Sequence, residues 1–266
     1  MNRDAGIRCF VAIGLVASPS VAFAGAWTLD AGQGQAIVTA TPSEANKVFD
    51  QNGSQQQAPR YSKDEVQSLV EYGASDWLTV MMSPSLQHVS IAPPYEGQRT
   101  GLGYTDLGAR VRLASGDSWI LSTQTTLNIP GTFSKTNPAA IGYYDPEVDI
   151  RGLFGYSFVI GRLPAFVDVE AAQRIRVGGP PNEFRADATF GIKPLDRWLV
   201  LLQSFNVVSE GAGGWGLPSY AYYKLQLSAV YELTPAVSVG LGAFTTYAGR
   251  NALQEQGLVA SIWYKF

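Results

Sequence analysis

The chain has 266 residues, of which 46% are hydrophobic and only 15% charged, with a formal net charge of −3. A weakly acidic chain lacks the basic face that nucleic acid requires, so no nucleic-acid partner is expected. The charged share is low for a soluble exported protein, yet no stretch beyond residue 24 reaches the ~20 apolar residues of a membrane-spanning helix.

The first element in chain order is a leader. Arg3 and Arg8 make a positive start, Cys9 to Ala17 is apolar but short, and Ala22-Phe23-Ala24 has the small-x-small pattern of a cleavage site. Cleavage after Ala24 is expected, which makes residues 1–24 a signal peptide and residues 25–266 one mature domain. Cys9 is the sole cysteine and leaves with the leader, so the mature chain needs no disulfide.

Period-two alternation then runs to the carboxy terminus. Strands are expected at 34–48, 60–73, 77–91, 102–114, 118–130, 146–158, 164–177, 183–194, 197–208, 219–232, 236–248 and 256–266. In the sixth, Val148, Ile150, Phe154 and Tyr156 alternate with Glu147, Asp149, Arg151 and Ser157; in the last, Leu258, Ala260, Ile262, Tyr264 and Phe266 alternate with Val259, Ser261, Trp263 and Lys265. Connections alternate as well. Short turns at Ala74-Ser75-Asp76, Ser115-Gly116-Asp117, Ile160-Gly161, Leu195-Asp196 and Thr234-Pro235 are separated by longer loops at 49–59, 92–101, 131–145, 178–182, 209–218 and 249–255. An even strand count with short turns at one end and long loops at the other predicts an all-β fold, a transmembrane antiparallel up-and-down β-barrel of 12 strands with both termini at the short-turn end. Trp77, Trp119, Trp198 and Trp263 fall at that same end, as an interfacial aromatic girdle requires. A soluble β-sandwich would also alternate, but it would not gather its tryptophans at one level or need strands this long.

The chain ends on Leu-Val-Ala-Ser-Ile-Trp-Tyr-Lys-Phe, with Phe266 at the carboxy terminus. This stretch resembles the terminal signal of substrates of the bacterial barrel assembly machinery, and the resemblance implies a bacterial outer-membrane location with outer-membrane lipid around the wall. Gly101 to Gly131, "GLGYTDLGARVRLASGDSWILSTQTTLNIPG", resembles the outer-membrane barrels named for the meta pathway of phenol degradation. Tyr104 stands where that family carries an acidic residue after Gly-Leu-Gly, with Asp106 two positions on. The resemblance implies a channel without enzyme activity or cofactor, for passive uptake of small hydrophobic or aromatic solutes.

Charge facing mid-bilayer lipid costs about 2–4 kcal/mol, so the charged parity must face the lumen. Lys63, Arg110, Arg112, Arg151, Arg174, Arg176, Arg185, Lys193, Lys224 and Lys265 are then balanced by Glu65, Glu71, Asp106, Glu147, Asp149, Asp168, Glu170, Asp187 and Glu232. Near-balance predicts weak ion selectivity or a cross-linked wall. A two-residue turn at Ile160-Gly161 would set Arg151 against Glu170 and Glu147 against Arg174. A next register with Arg176 opposite Arg185 would set Arg174 against Asp187 and Asp168 against Lys193. In the loop at 131–145, Tyr143 and Tyr144 are candidates for a gate.

Three other motifs carry less. Gly211 to Gly216 has the spacing of a dinucleotide loop but no helix follows, so a plain loop is expected. Asp145, Glu147 and Asp149 offer the oxygens of a cation site, but Glu147 and Asp149 have arginine neighbours, so ion pairing is expected there in place of a metal. His88 and Ser90 share the lipid-facing parity; they resemble the catalytic pair of outer-membrane lipid A deacylases, whose barrel is smaller, and form the alternative, enzymatic reading. A barrel that is structural and does not conduct is the other alternative.

Overall fold

An apolar outer face and a polar interior impose the same alternating demand on every strand, and the chain answers it with one closed antiparallel sheet. The computed structural model describes residues 25–94, 96–132, 139, 145–214 and 216–266. Among these the strands are β1 (Gly34–Phe49), β2 (Gln55–Ser75), β3 (Leu78–Ile91), β4 (Gly97–Ser115), β5 (Trp119–Ile129), β6 (Glu147–Ile160), β7 (Leu163–Arg176), β8 (Glu183–Leu195), β9 (Trp198–Ser209), β10 (Ala221–Glu232), β11 (Val237–Arg250), β12 (Ala252–Leu253) and β13 (Gln256–Lys265). No helix occurs among the described residues. β12 is a two-residue strand on the end of β1, so twelve strands build the wall. Pairing of β1 with both β2 and β13 closes the sheet, which removes every unpaired edge.

The seam is drawn tight at the termini. Gly34 and Phe266 exchange both backbone hydrogen bonds, at 2.7 and 2.9 Å, and the Phe266 ring lies where a side chain on residue 34 would stand. Farther along the seam the ladder skips from Ala40↔Ala260 to Ser43↔Gly257, at Pro42, which has no N–H to give.

The wall faces follow the expected parity. Val38, Val70, Met82, Leu107, Leu127, Ile150, Val169, Leu202, Leu227, Leu241 and Ile262 are exposed on the outside. At the turn end Trp77, Trp119 and Trp198 are exposed too, the last two beside Phe154 and Tyr231 at centroid distances of 6.5 and 4.9 Å. Trp263 does not join them. It stands opposite Ile37 and Ser238 on the lumen face, donates to Ser261 Oγ at 2.9 Å and packs on Phe166, Leu199, Leu201 and Val230. Its parity, shared with Ser261 and Lys265, turns it inward although its level matches the girdle.

Two registers differ from expectation. The turn after β6 is Gly161-Arg162, so Glu147 faces Arg176, Asp149 faces Arg174 and Arg151 faces Ala172. Across the next pair Arg174 faces Glu183, Glu170 faces Asp187 and Asp168 faces Thr189, so the Arg174–Asp187 and Asp168–Lys193 oppositions do not form. Asn182 sets this second register by accepting the Arg176 N–H at 2.9 Å, closing the connection tighter than the sequence suggests. The β1–β2 hairpin is also longer than expected: pairing continues to Phe49↔Gln55. Its tip is closed by Asp50, whose carboxylate takes the N–H groups of Ser54 and Asn52 and is held below the usual carboxylate range by them.

Candidate functional site

The lumen is divided into a plugged half and a charged half. Residues 25–33 enter from the turn end and run inside the barrel. Thr28 Oγ1 donates to the Asp76 carbonyl at 2.9 Å, the Ala31 N–H donates to Asp76 Oδ1 at 2.9 Å, and the Leu29 N–H donates to Thr79 Oγ1 at 2.8 Å. Deeper in, the Ala26 carbonyl accepts from Ser122 Oγ at 2.6 Å and the Ala26 N–H donates to Asp168 Oδ2 at 2.7 Å. The segment thus satisfies its backbone partly on lumen side chains and, at Gly32 and Gln33, on the Gly73 backbone of β2, as buried backbone must.

Trp27 fills the middle of this half. It packs on Ala26, Ile120 and Leu153 on one side and on the cluster of Phe166, Leu199, Leu201 and Val230 on the other, edge-on to Phe166 at 5.7 Å. Gly155 makes the fit possible, since a Cβ there would lie 2.5 Å from the indole. Arg110 locks the arrangement: its Nη1 donates to the Trp27 carbonyl at 2.9 Å, its Nε to Gln124 at 3.0 Å, and its Nη2 pairs with Glu71 at 3.0 Å. Glu71 is fully buried and also accepts from Gln35 Nε2.

Above the plug the β6–β8 wall carries a continuous ion-pair network. Arg151 bridges Asp149 at 3.3 Å, Asp187 at 2.6 Å and Glu170. Arg174 reaches Glu147 at 3.3 Å and Asp149 at 3.4 Å; Arg176 reaches Glu147 at 2.9 Å and Glu183 at 3.0 Å; Arg185 stands 4.0 Å from Asp149. Tyr104 donates to Glu147 at 3.2 Å, and the Tyr220 hydroxyl donates to Glu183. Glu170 and Asp187 face each other directly, an opposition that would repel without the Arg151 guanidinium between them.

The sequence-predicted lumen residues therefore divide. Glu147, Asp149, Arg151, Glu170, Arg174, Arg176, Arg185 and Asp187 form this network. Arg110 and Asp168 instead hold the plug. Arg112, opposite Ser122, and Lys193, near the end of β8, lie at the turn end and make no ion pair among the described residues. Tyr143 and Tyr144 lie outside the described residues. Glu183 was missed although its parity with Arg185 and Asp187 marks it; Glu255 was missed because it sits between two strands.

Next to the network, and sharing Arg185 with it, is a cavity of about 380 Å³, the size of a small-molecule site. Lys63, Glu65, Lys224 and Glu255 form ion pairs toward its loop end, with Ser43 donating to Glu255 at 2.7 Å. Ile37, Leu201, Val230, Val259 and Trp263 line its apolar part, next to the plug. Phe244 lines this cavity and also an outward groove of about 640 Å³ at the Pro42 interruption of the seam.

His88 and Ser90 are on the outer face as expected. The His88 Nδ1 is 2.7 Å from Thr100 Oγ1, and no hydrogen bond to Ser90 is present; a nucleophile and its base need one. Asp64 stands opposite His88 in the β2–β3 ladder.

No family model matches the chain, and no curated protein matches it. Solved structures do. The COG4313 outer membrane channel from Pseudomonas putida F1 superimposes with a TM-score of 0.76 at 14% identity, over 92% of this chain and 100% of that one. The KdgM porin and the NanC porin each superimpose with a TM-score of 0.50, at 10% and 8% identity, over 86% of this chain and 99% and 100% of theirs. At these identities the likeness is one of fold: a closed twelve-stranded barrel of the kind that outer-membrane channels and porins adopt.

Proposed function

We propose that this chain is an exported outer-membrane channel for passive uptake of small hydrophobic or aromatic solutes, assembled by the barrel assembly machinery and related to the meta-pathway phenol-degradation barrels. The observation that carries the reading is the lumen's polarity step: a charged loop end leads into a cavity whose far end is lined by Ile37, Leu201, Val230 and Trp263, beside the cluster that Trp27 packs on. That end gives an apolar body a surface to displace. The groove behind Phe244 offers such a solute a sideways way out at the Pro42 gap.

The second reading, a barrel that does not conduct, is favoured by the same plug. Single-channel recording of residues 25–266 in a planar bilayer, beside Trp27→Gly, separates the two. The channel reading expects small or brief steps from the parent chain and several-fold larger, longer ones from the variant. Flux into vesicles should favour phenol-type solutes over sugars of equal size. A parent and a variant that are both silent, and vesicles that take up neither solute, would overturn it.

A further inference from the structure

We infer that hydrolysis of the Ala24–Gly25 peptide bond during export creates the group that fastens the plug: the new α-ammonium of Gly25 docks on the Asp168 carboxylate inside the lumen. The placement is on the wall already. Gly25 is buried, and a Cβ on it would lie 2.9 Å from both Cγ and Oδ2 of Asp168. A terminal amine on that same Cα, free to rotate once the preceding peptide is gone, reaches the same distance. The next residue is tied to the same carboxylate through the Ala26 N–H at 2.7 Å.

The charge is also wanted there. Asp168 is 2% exposed and has no cationic side chain within 4.0 Å among the described residues. Glu170, on the same face of β7, touches it, and Arg151 is engaged with Glu170, Asp149 and Asp187. Arg110 faces Asp168 from β4 but is committed to Glu71, Gln124 and the Trp27 carbonyl. Two adjacent buried carboxylates repel unless a shared proton or a cation joins them. In the precursor the Gly25 nitrogen is a neutral amide and only a shared proton can serve. An endopeptidase of the export pathway adds water across that amide, leaving a carboxylate on Ala24 and an amine on Gly25, which takes a proton to become a cation able to replace the shared one. Processing would thus set the plug as well as release the chain. The inference rests on the exported-barrel reading but not on conduction.

Its test needs no current. The mass of the exported protein should match a chain beginning at Gly25. That chain, refolded, is then compared with Asp168→Asn and with the same chain carrying one extra Met before Gly25, using a small N-hydroxysuccinimide ester at pH 7 and reading amino-terminal acylation by mass spectrometry. The Gly25 amine should react at least about tenfold more slowly than in Asp168→Asn, since each unit by which ion pairing raises the amine pKa costs a factor of ten in free amine. The Met-extended chain should react quickly and should show greater iodide quenching of tryptophan emission as Trp27 loosens. A mature chain starting elsewhere, or equal acylation rates, would overturn the inference. If Asp168→Asn yields no heat-modifiable barrel, the extended chain, with every native side chain intact, decides alone.

Discussion

Glu71 and Arg110 show how one buried pair can serve two purposes. The pair is almost free of solvent, and the guanidinium it orients also grips the plug. Removing one partner of a buried ion pair strands the other in a poor environment and costs about 3–5 kcal/mol. Glu71→Ala should therefore lower the unfolding free energy of the refolded barrel, read from its urea titration, by that order and raise the frequency of open events in the same preparation. Arg151 is the opposite kind of residue, a cation shared by three acids. Arg151→Gln leaves Asp149, Glu170 and Asp187 in excess. It should shift the reversal potential under a salt gradient toward cation selectivity, provided the plug is loosened by Trp27→Gly so that current can be read. Gly155 tests the plug by shape alone: Gly155→Val puts methyl groups where the indole lies and should red-shift tryptophan emission without changing any charge.

At the scale of elements, the strands were legible because an apolar outer face and a polar lumen enforce period two over every residue between turns. Most observed boundaries fall within a few residues of expectation, and the exceptions are β2 and β4, whose ladders continue beyond the lengths a bilayer needs. Register was less legible. A tight turn moved by one residue shifts the facing pairs by two, and the cap from Asn182 on Arg176 is a tertiary contact with no periodic signature. The network survived the error because long arginine side chains reach diagonal neighbours; Arg151 finds Glu170 without facing it. Trp263 was misassigned from its level when its parity already pointed inward. The plug left no trace at all, since residues 25–33 are too short to show a period and touch the ladder only through Gly32 and Gln33 at Gly73. At the seam, deletion of Phe266 removes two hydrogen bonds to Gly34 and the ring that covers it. The truncated chain should give a weaker heat-modifiable band than the parent under identical refolding, with the loss concentrated in folding yield.

For the whole molecule, the hydrogen bonds between Gly34 and Phe266 join the two ends of the barrel sequence, and β1 pairs with β13 from the far end of the chain. Such a topology has high contact order: loop-closure entropy must be overcome before most pairings return anything. A nascent barrel of eleven strands is consequently not a slightly smaller barrel. It is an open sheet with two raw edges in a solvent that cannot hydrogen-bond them. Translation products cut short before β13 would have no partial foothold in the bilayer. They would stay in the aqueous compartment as aggregation-prone edges for proteases to remove, so β13 acts as the checkpoint for the strands that precede it.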